Sequence, residues 1–281
     1  MSNACPTRSG FHLRDDPQGR SPRHPSFAAF LRSRHRVPAQ LTKSMRRHLS
    51  QSELSIARFA GLLYLAIIVF GISSEVALRG PLIDLTNAES TAKAILTALG
   101  RFRLSIAFDL IMALADTGLA VLLFILFRPV APTLALAAMI FRLVQSVIIA
   151  SNLMNLQSAV LLISAGQDIT VLAPGQAEAM ATLFLNLHGH GYDLGLVFFG
   201  LNSLMTGALI WRSGFVPKVL GAGIAAAGIV YLIGSALRFF VPEFSVVFAP
   251  AYGVPAITET AFCLWLLAAG WASRRPHLAS A

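Results

Sequence analysis

The stretch Thr133–Ile163, TLALAAMIFRLVQSVIIASNLMNLQSAVLLI, decides the fold class. It exceeds the roughly 20 apolar residues that a helix needs to cross a bilayer, yet it carries Arg142 well inside. A guanidinium does not discharge itself by losing a proton there, so it requires a carboxylate, backbone carbonyls or water. The other polar residues of the apolar stretches can be sorted by whether they supply that partner.

The composition agrees with a membrane protein: 281 residues, 56% hydrophobic, 12% charged, mean hydropathy +0.68. A soluble domain has about a quarter of its residues charged. The net charge of +9 belongs to the amino-terminal tail, where ten Lys/Arg in residues 1–50 face only Asp15 and Asp16. Residues 51–281 hold twelve basic against eleven acidic side chains. The tail has no nucleic-acid-binding motif, so a solvated or lipid-facing arm is expected and no nucleic-acid partner. Cys5 falls in the tail and Cys263 in an apolar span, which excludes an intramolecular disulfide framework and a thiolate metal site.

Residues 1–50 read as a disordered basic tail, of which 1–44 are expected to precede a natural start at Met45. The segment lacks the apolar core of a secretory signal, and Arg46-Arg47 lack the core that follows a twin-arginine signal. Residues 51–272 form the membrane domain and 273–281 a short tail. Six spans are predicted, near 58–77, 104–127, 133–163, 178–211, 216–238 and 250–271. The third and fourth are longer than a bilayer requires and are expected to protrude as a hairpin, with Gly189 and Gly191 as kink points. Basic residues flanking the spans number nine on the side of the amino terminus against five opposite, which puts both termini in the cytoplasm. In the loop 78–103, Thr86 and Glu89 fit a capping box opening a short helix with Ala88, Ala92, Ile95 and Leu99 as its apolar stripe. Glu89 and Lys93 pair at i, i+4.

Arg142 and Gln145 lie three apart in the third span, followed by Asn152, Asn155 and Gln157. Asp109 and Asp116 share a face of the second. The fourth contains Asn186, His188, His190, Tyr192 and Asp193, the sixth Glu259, and Glu75 closes the first. The expected polar cluster is Arg142, Asp116, Asp109, Gln145, His188, Asp193, Glu259 and Glu75. Away from the span ends, four carboxylates (Asp109, Asp116, Asp193, Glu259) face one base, which leaves three without a fixed partner. Asp116 lies twelve residues before Arg128 and Arg142 ten after Pro132, so the two share a depth of about 15–18 Å on neighbouring helices. Asp109, two turns further along, needs another partner. His188 and His190 point about 200° apart on a straight helix, which disfavours a shared metal; no metal and no cofactor is expected. Gly191-xxx-Gly195 and the Gly221, Ala225, Gly228 ridge read as packing faces, within the bundle or between copies in a homo-oligomer. Trp211, Trp265 and Trp271 fall where interface anchors do.

Five stretches, RFAGLLYLAIIVFGISSE, FRLSIAFDLIMALAD, FRLVQ, LHGHGYDLGLVFFGL and LIWRSGFVPKVLG, resemble the bacterial integral membrane family known as domain of unknown function 4386. The resemblance covers about residues 55–272. It implies a multi-spanning protein whose matched polar positions are Glu75, Asp109, Asp116, Arg142 and His188, and it implies no activity. Asn202 stands where the family pattern has a histidine. Three function classes follow. A non-catalytic membrane protein such as a sensor or assembly factor, whose polar residues only hold helices together, ranks first; the bilayer, and a lipid or small molecule of unknown identity, are the expected partners. Proton- or cation-linked solute transport ranks second, weakened because the two three-helix halves show no inverted repeat. An intramembrane lipid hydrolase ranks third, because neither HExxH nor a nucleophile motif is present.

Overall fold

The computed structural model describes residues 50–165, 173 and 175–272, within the compact unit Met45–Ala281. The basic tail up to 49 and the segment from 273 onward lie outside the described residues. The described residues form helices and no strand. Six helices are long and apolar enough to cross a membrane, so the chain is an all-α, six-span membrane protein.

Helix α1 spans Gln51–Ile72 and starts seven residues before the apolar run does. Its start is set by a capping box: Glu53 N donates to Ser50 Oγ at 3.3 Å, and Ser50 N donates to Glu53 Oε2 at 2.9 Å. Its far end winds into a π-helical turn, Ser73–Arg79, and a 3-10 turn, Gly80–Leu82. A Cβ on Gly80 would sit 2.7 Å from Glu75 O, so the close of the wider turn calls for glycine. Helix α2 is the short Ala88–Thr97; the long helices α3 to α7 are Leu99–Phe127, Pro132–Ala165, Gln176–Ser213, Lys218–Phe240 and Gly253–Ala272.

The cap of α2 lies one residue beyond the expected box. Thr86 gives its hydroxyl to Asp84 Oδ1 at 2.6 Å, so Asn87 takes the cap and accepts from Ser90 N at 2.9 Å. The glycines of α5 do not interrupt it; the helix runs unbroken from Gln176 to Ser213. They make room instead. A Cβ on Gly191 would overlap the Asn152 amide, and one on Gly195 would meet Ile149 Cδ1 at 2.9 Å, so that ridge lets α4 approach closely. Gly221 and Gly228 of α6 meet Gly207 and Gly200 of α5 backbone to backbone within this chain.

The long helices close a ring in which α1 packs on α3, then α3 on α4, α4 on α5, α5 on α6, α6 on α7 and α7 back on α1. Helices α4 and α5, 34 and 38 residues long, reach about 50 and 57 Å. Their extra turns bury Leu156, Val160 and Leu185 against Ala92 and Ile95 of α2. A second apolar core fills the opposite end of the ring, around Leu126, Phe127, Ile210, Phe262 and Leu266. On the outer faces, Phe59, Leu62, Leu65, Val69 and Ile72 of α1 and Val76 of the π turn form one exposed apolar stripe, as a lipid-facing surface requires. Trp211 stays exposed near Lys218, whereas Trp265 stacks inward on Phe262; the Trp271 side chain lies outside the described residues.

Candidate functional site

Between the two apolar cores the polar residues pair in three steps. The first joins α3 to α4. Arg142 Nε donates to Asp116 Oδ1 at 2.8 Å, and Ser146 Oγ donates to Asp116 Oδ2 at 2.6 Å. Arg142 and Asp116 are 3% and 4% exposed. Nη2 is also 2.5 Å from Oδ1 but lacks the alignment of a hydrogen bond, so this contact is ionic only. The aromatic rings of Tyr64 and Phe199 flank the guanidinium, with centroids 5.4 and 5.0 Å from Cζ. A void of about 10 Å³ lined in part by Arg142, Asn202 and Thr206 adjoins it.

The second step joins α1 to α3 through a residue that the sequence places at a span end. The π turn carries Arg79 inward to 2% exposure. Its Nη1 donates to Asp109 Oδ2 at 2.6 Å and to Ser74 Oγ at 3.3 Å, while Nη2 meets Glu75 Oε2. Ser74 in turn donates to Ser105 O of α3 at 3.0 Å. Arg101 Nη2 holds the turn from outside, donating to Ala77 O at 2.6 Å. The third step joins α5 to α6: Arg238 Nε lies 3.2 Å from Asp193 Oδ2.

These pairs correct the expected surplus of acids. Asp109 and Asp193 each have an arginine, because Arg79 and Arg238 start near span ends and reach inward. Glu259 of α7 lacks a salt bridge among the described residues; its Oε1 accepts from Tyr231 on α6 at 2.7 Å, beside Tyr64. Arg79, Arg238, Tyr64, Tyr231 and Ser146 are the site residues that sequence reasoning missed. Glu75 and Arg79 at i, i+4 were the available signal for the first of them.

His188 is brought to the same stratum by Asn152 of α4, whose Nδ2 donates to His188 O at 2.7 Å and lies 3.1 Å from His188 Nδ1. Asn155 adds a 2.8 Å bond to Asn152 Oδ1. His190 faces elsewhere: its Nδ1 donates to Asn186 O one turn back, at 3.0 Å. Among the described residues, no three His, Cys, Asp or Glu are grouped to hold a metal. Gln145, close to Gly195, leaves its Oε1 buried without a hydrogen-bond partner among the described residues.

The second and third pairs stand on the wall of one cavity of about 800 Å³, at the end of the ring that carries α2. Its polar wall comprises Glu75, Arg79, Asp109, His188, Asp193 and Arg238. Met112, Leu156, Leu185 and Leu196 add apolar lining, and Tyr192, Phe248 and Tyr252 aromatic lining. Ser245 also lines it, with a buried Oγ that has no hydrogen-bond partner among the described residues. The volume falls in the range of ligand cavities, about 300–1,000 Å³. The Arg142–Asp116 pair lies deeper and off this wall.

Fold and site together define a polytopic membrane protein with arginine–carboxylate pairs lining a cavity at one end and a further pair deeper in the bundle. The model of the family described as Domain of unknown function (DUF4386) matches residues 59–270, so the chain belongs to that family. It is similar to an uncharacterized protein of Archaeoglobus fulgidus, 28% identical over 166 residues, covering 59% of this chain and 83% of the relative. No solved structure matches.

Proposed function

We propose that this protein is a non-catalytic binding protein of the bacterial cell membrane that holds a small ligand in the 800 Å³ cavity. The observation that carries this reading is that three of the four ion pairs among the described residues line that cavity together with apolar and aromatic side chains. The carboxylates there are already engaged by arginines, and His188 is engaged through Nδ1 by Asn152. Such a wall orients a ligand; a nucleophile activated by a free base would need a different arrangement. Both termini lie in the cytoplasm, following the basic flanks, which turns the cavity to the outer face.

The test is ligand capture. Native mass spectrometry of the full chain released from membranes should show a bound small molecule or lipid. Leu196→Trp, which fills the cavity, should remove it and leave the fold intact. Equal occupancy in the parent and the plugged variant would sink the reading. A second reading, solute movement linked to protons, is favoured by one observation: among the described residues, Glu259 is an acid in the span region bonded to a tyrosine and to no arginine. Proteoliposomes should then acidify when a solute gradient is imposed, and Glu259→Gln should abolish that signal. Acidification that Glu259→Gln leaves unchanged would remove this reading.

A further inference from the structure

The wall of the cavity has a charge imbalance that bears on what it holds. Arg79 serves two carboxylates, Asp109 and Glu75, while Arg238 serves Asp193 alone. Three carboxylates against two guanidinium groups leave one negative charge on the wall. The three carboxylates are not equally placed to meet a ligand. Asp109 is 6% exposed at its side chain and Asp193 12%, whereas the Glu75 side chain is 65% exposed. Only Oε2 of Glu75 is engaged by Arg79, and among the described residues no lysine lines the cavity.

The rest of the lining matches a cation with a hydrocarbon body. Tyr192, Phe248 and Tyr252 bring aromatic rings, and the ring edge of one of the pair Phe248–Tyr252 meets the face of the other, with centroids 6.2 Å apart. Aromatic faces attract cations and favour weakly hydrated ones such as substituted ammonium groups. Ser245 Oγ, without a partner among the described residues, adds an oxygen to the lining. Met112, Leu156, Leu185 and Leu196 can bury an apolar portion. Resting on the reading that this cavity holds a ligand, we propose that the ligand is a lipophilic monocation, its charged group beside Glu75 and its body against the aromatic and apolar lining. An oxyanion beside Arg238 would instead raise the cavity's surplus to two negative charges, which is unfavourable.

The full chain in phosphatidylcholine nanodiscs provides the test, with radiolabelled tetraphenylphosphonium as the probe, empty nanodiscs subtracted, and octyl phosphate as the anionic counterpart. The cation should bind saturably. Glu75→Gln should weaken it at least tenfold, Leu196→Trp should block it, and Glu89→Gln, on the exposed face of α2, should leave it unchanged. Tyr252→Phe keeps the ring and should retain binding, whereas Tyr252→Leu should lose several-fold, a contrast that separates ring from hydroxyl. Cation binding unaltered by Glu75→Gln would overturn the proposal. Octyl phosphate binding in preference, and blocked by Leu196→Trp, would overturn the cation and keep the cavity as a binding site. Binding of neither probe would remove both.

Discussion

Arg79 Nη1 stands 2.6 Å from Asp109 Oδ2 across the α1–α3 contact, with both side chains buried. The arginine gets there through the π turn, which brings a residue from the end of the first span into the bundle. The same guanidinium also holds Glu75, whose side chain is mostly exposed. One cation thus makes a buried pair and an exposed pair at once, and the two should differ sharply in worth.

Arg79→Gln strands Asp109 as a buried unpaired charge and should cost about 3–5 kcal/mol of stability in detergent. Glu75→Gln should cost about 1 kcal/mol or less, because an exposed pair is screened by solvent. Asp109→Asn on the Arg79→Gln background should recover part of the loss. Thermal unfolding of the purified variants measures all three. Equal losses for Arg79→Gln and Glu75→Gln would mean that Asp109 does not depend on the arginine.

The close contact of α5 with α6 predicts a contrast between glycines. A Cβ on Gly207 would lie 2.6 Å from Gly221 O, a backbone atom that cannot step aside. Gly207→Ala should therefore destabilise by about 1–3 kcal/mol. A Cβ on Gly100 of α3 meets nothing within 4 Å, so Gly100→Ala should be neutral or stabilising by up to about 1 kcal/mol. Melting temperatures that move together for both variants would deny the tight crossing.

The turn leading into α2 should loosen in acid. Thr86 donates to Asp84 Oδ1 through both its hydroxyl and its amide, at 2.6 and 2.9 Å, and these bonds hold the Asp84 carboxyl below its usual range. A depressed value in the folded state contributes stability above the unfolded value of about 3.9, which is lost as pH falls through the lower folded value. Amide exchange of Thr86 and Asn87, corrected for its intrinsic pH dependence, should quicken below about pH 4 and stay flat between 5 and 8. Asp84→Asn should quicken it at neutral pH. Protection independent of pH in the parent would contradict the role of these bonds.

Reporter fusions check the orientation. A fusion after Ala173 should report the outer side and one after Arg274 the cytoplasm. Matching signals from the two would remove the proposed orientation and with it the outward cavity.

The six spans were legible because each is an apolar run of bilayer length, and the Arg142–Asp116 pair was legible because a short turn fixes equal depth on neighbouring helices. Depth can be counted along a sequence; rotation cannot. Glu259 bonds Tyr231, 28 residues away on α6, and nothing in the spacing reveals which faces of α6 and α7 meet. Arg79 and Arg238 were missed for a different reason. Long basic side chains at span ends ordinarily reach outward to the interface. Here the wider turn after α1 and the cavity beside α6 let them reach inward. The α2 cap was read one residue early because Thr86 and Asn87 both suit a cap, and the hydrogen bond from Thr86 to Asp84 that decides between them depends on the loop fold.

The central claim is that buried charges in this bundle are closed by specific arginine–carboxylate pairs between adjacent helices. A double-mutant cycle on Arg142 and Asp116 tests it most directly, measured as unfolding free energy of the full chain in detergent. Arg142→Met and Asp116→Leu should each cost about 3–5 kcal/mol, because each leaves a lone charge at low exposure. The double variant should be more stable than either, since no charge remains unpaired. Losses that simply add would contradict the account.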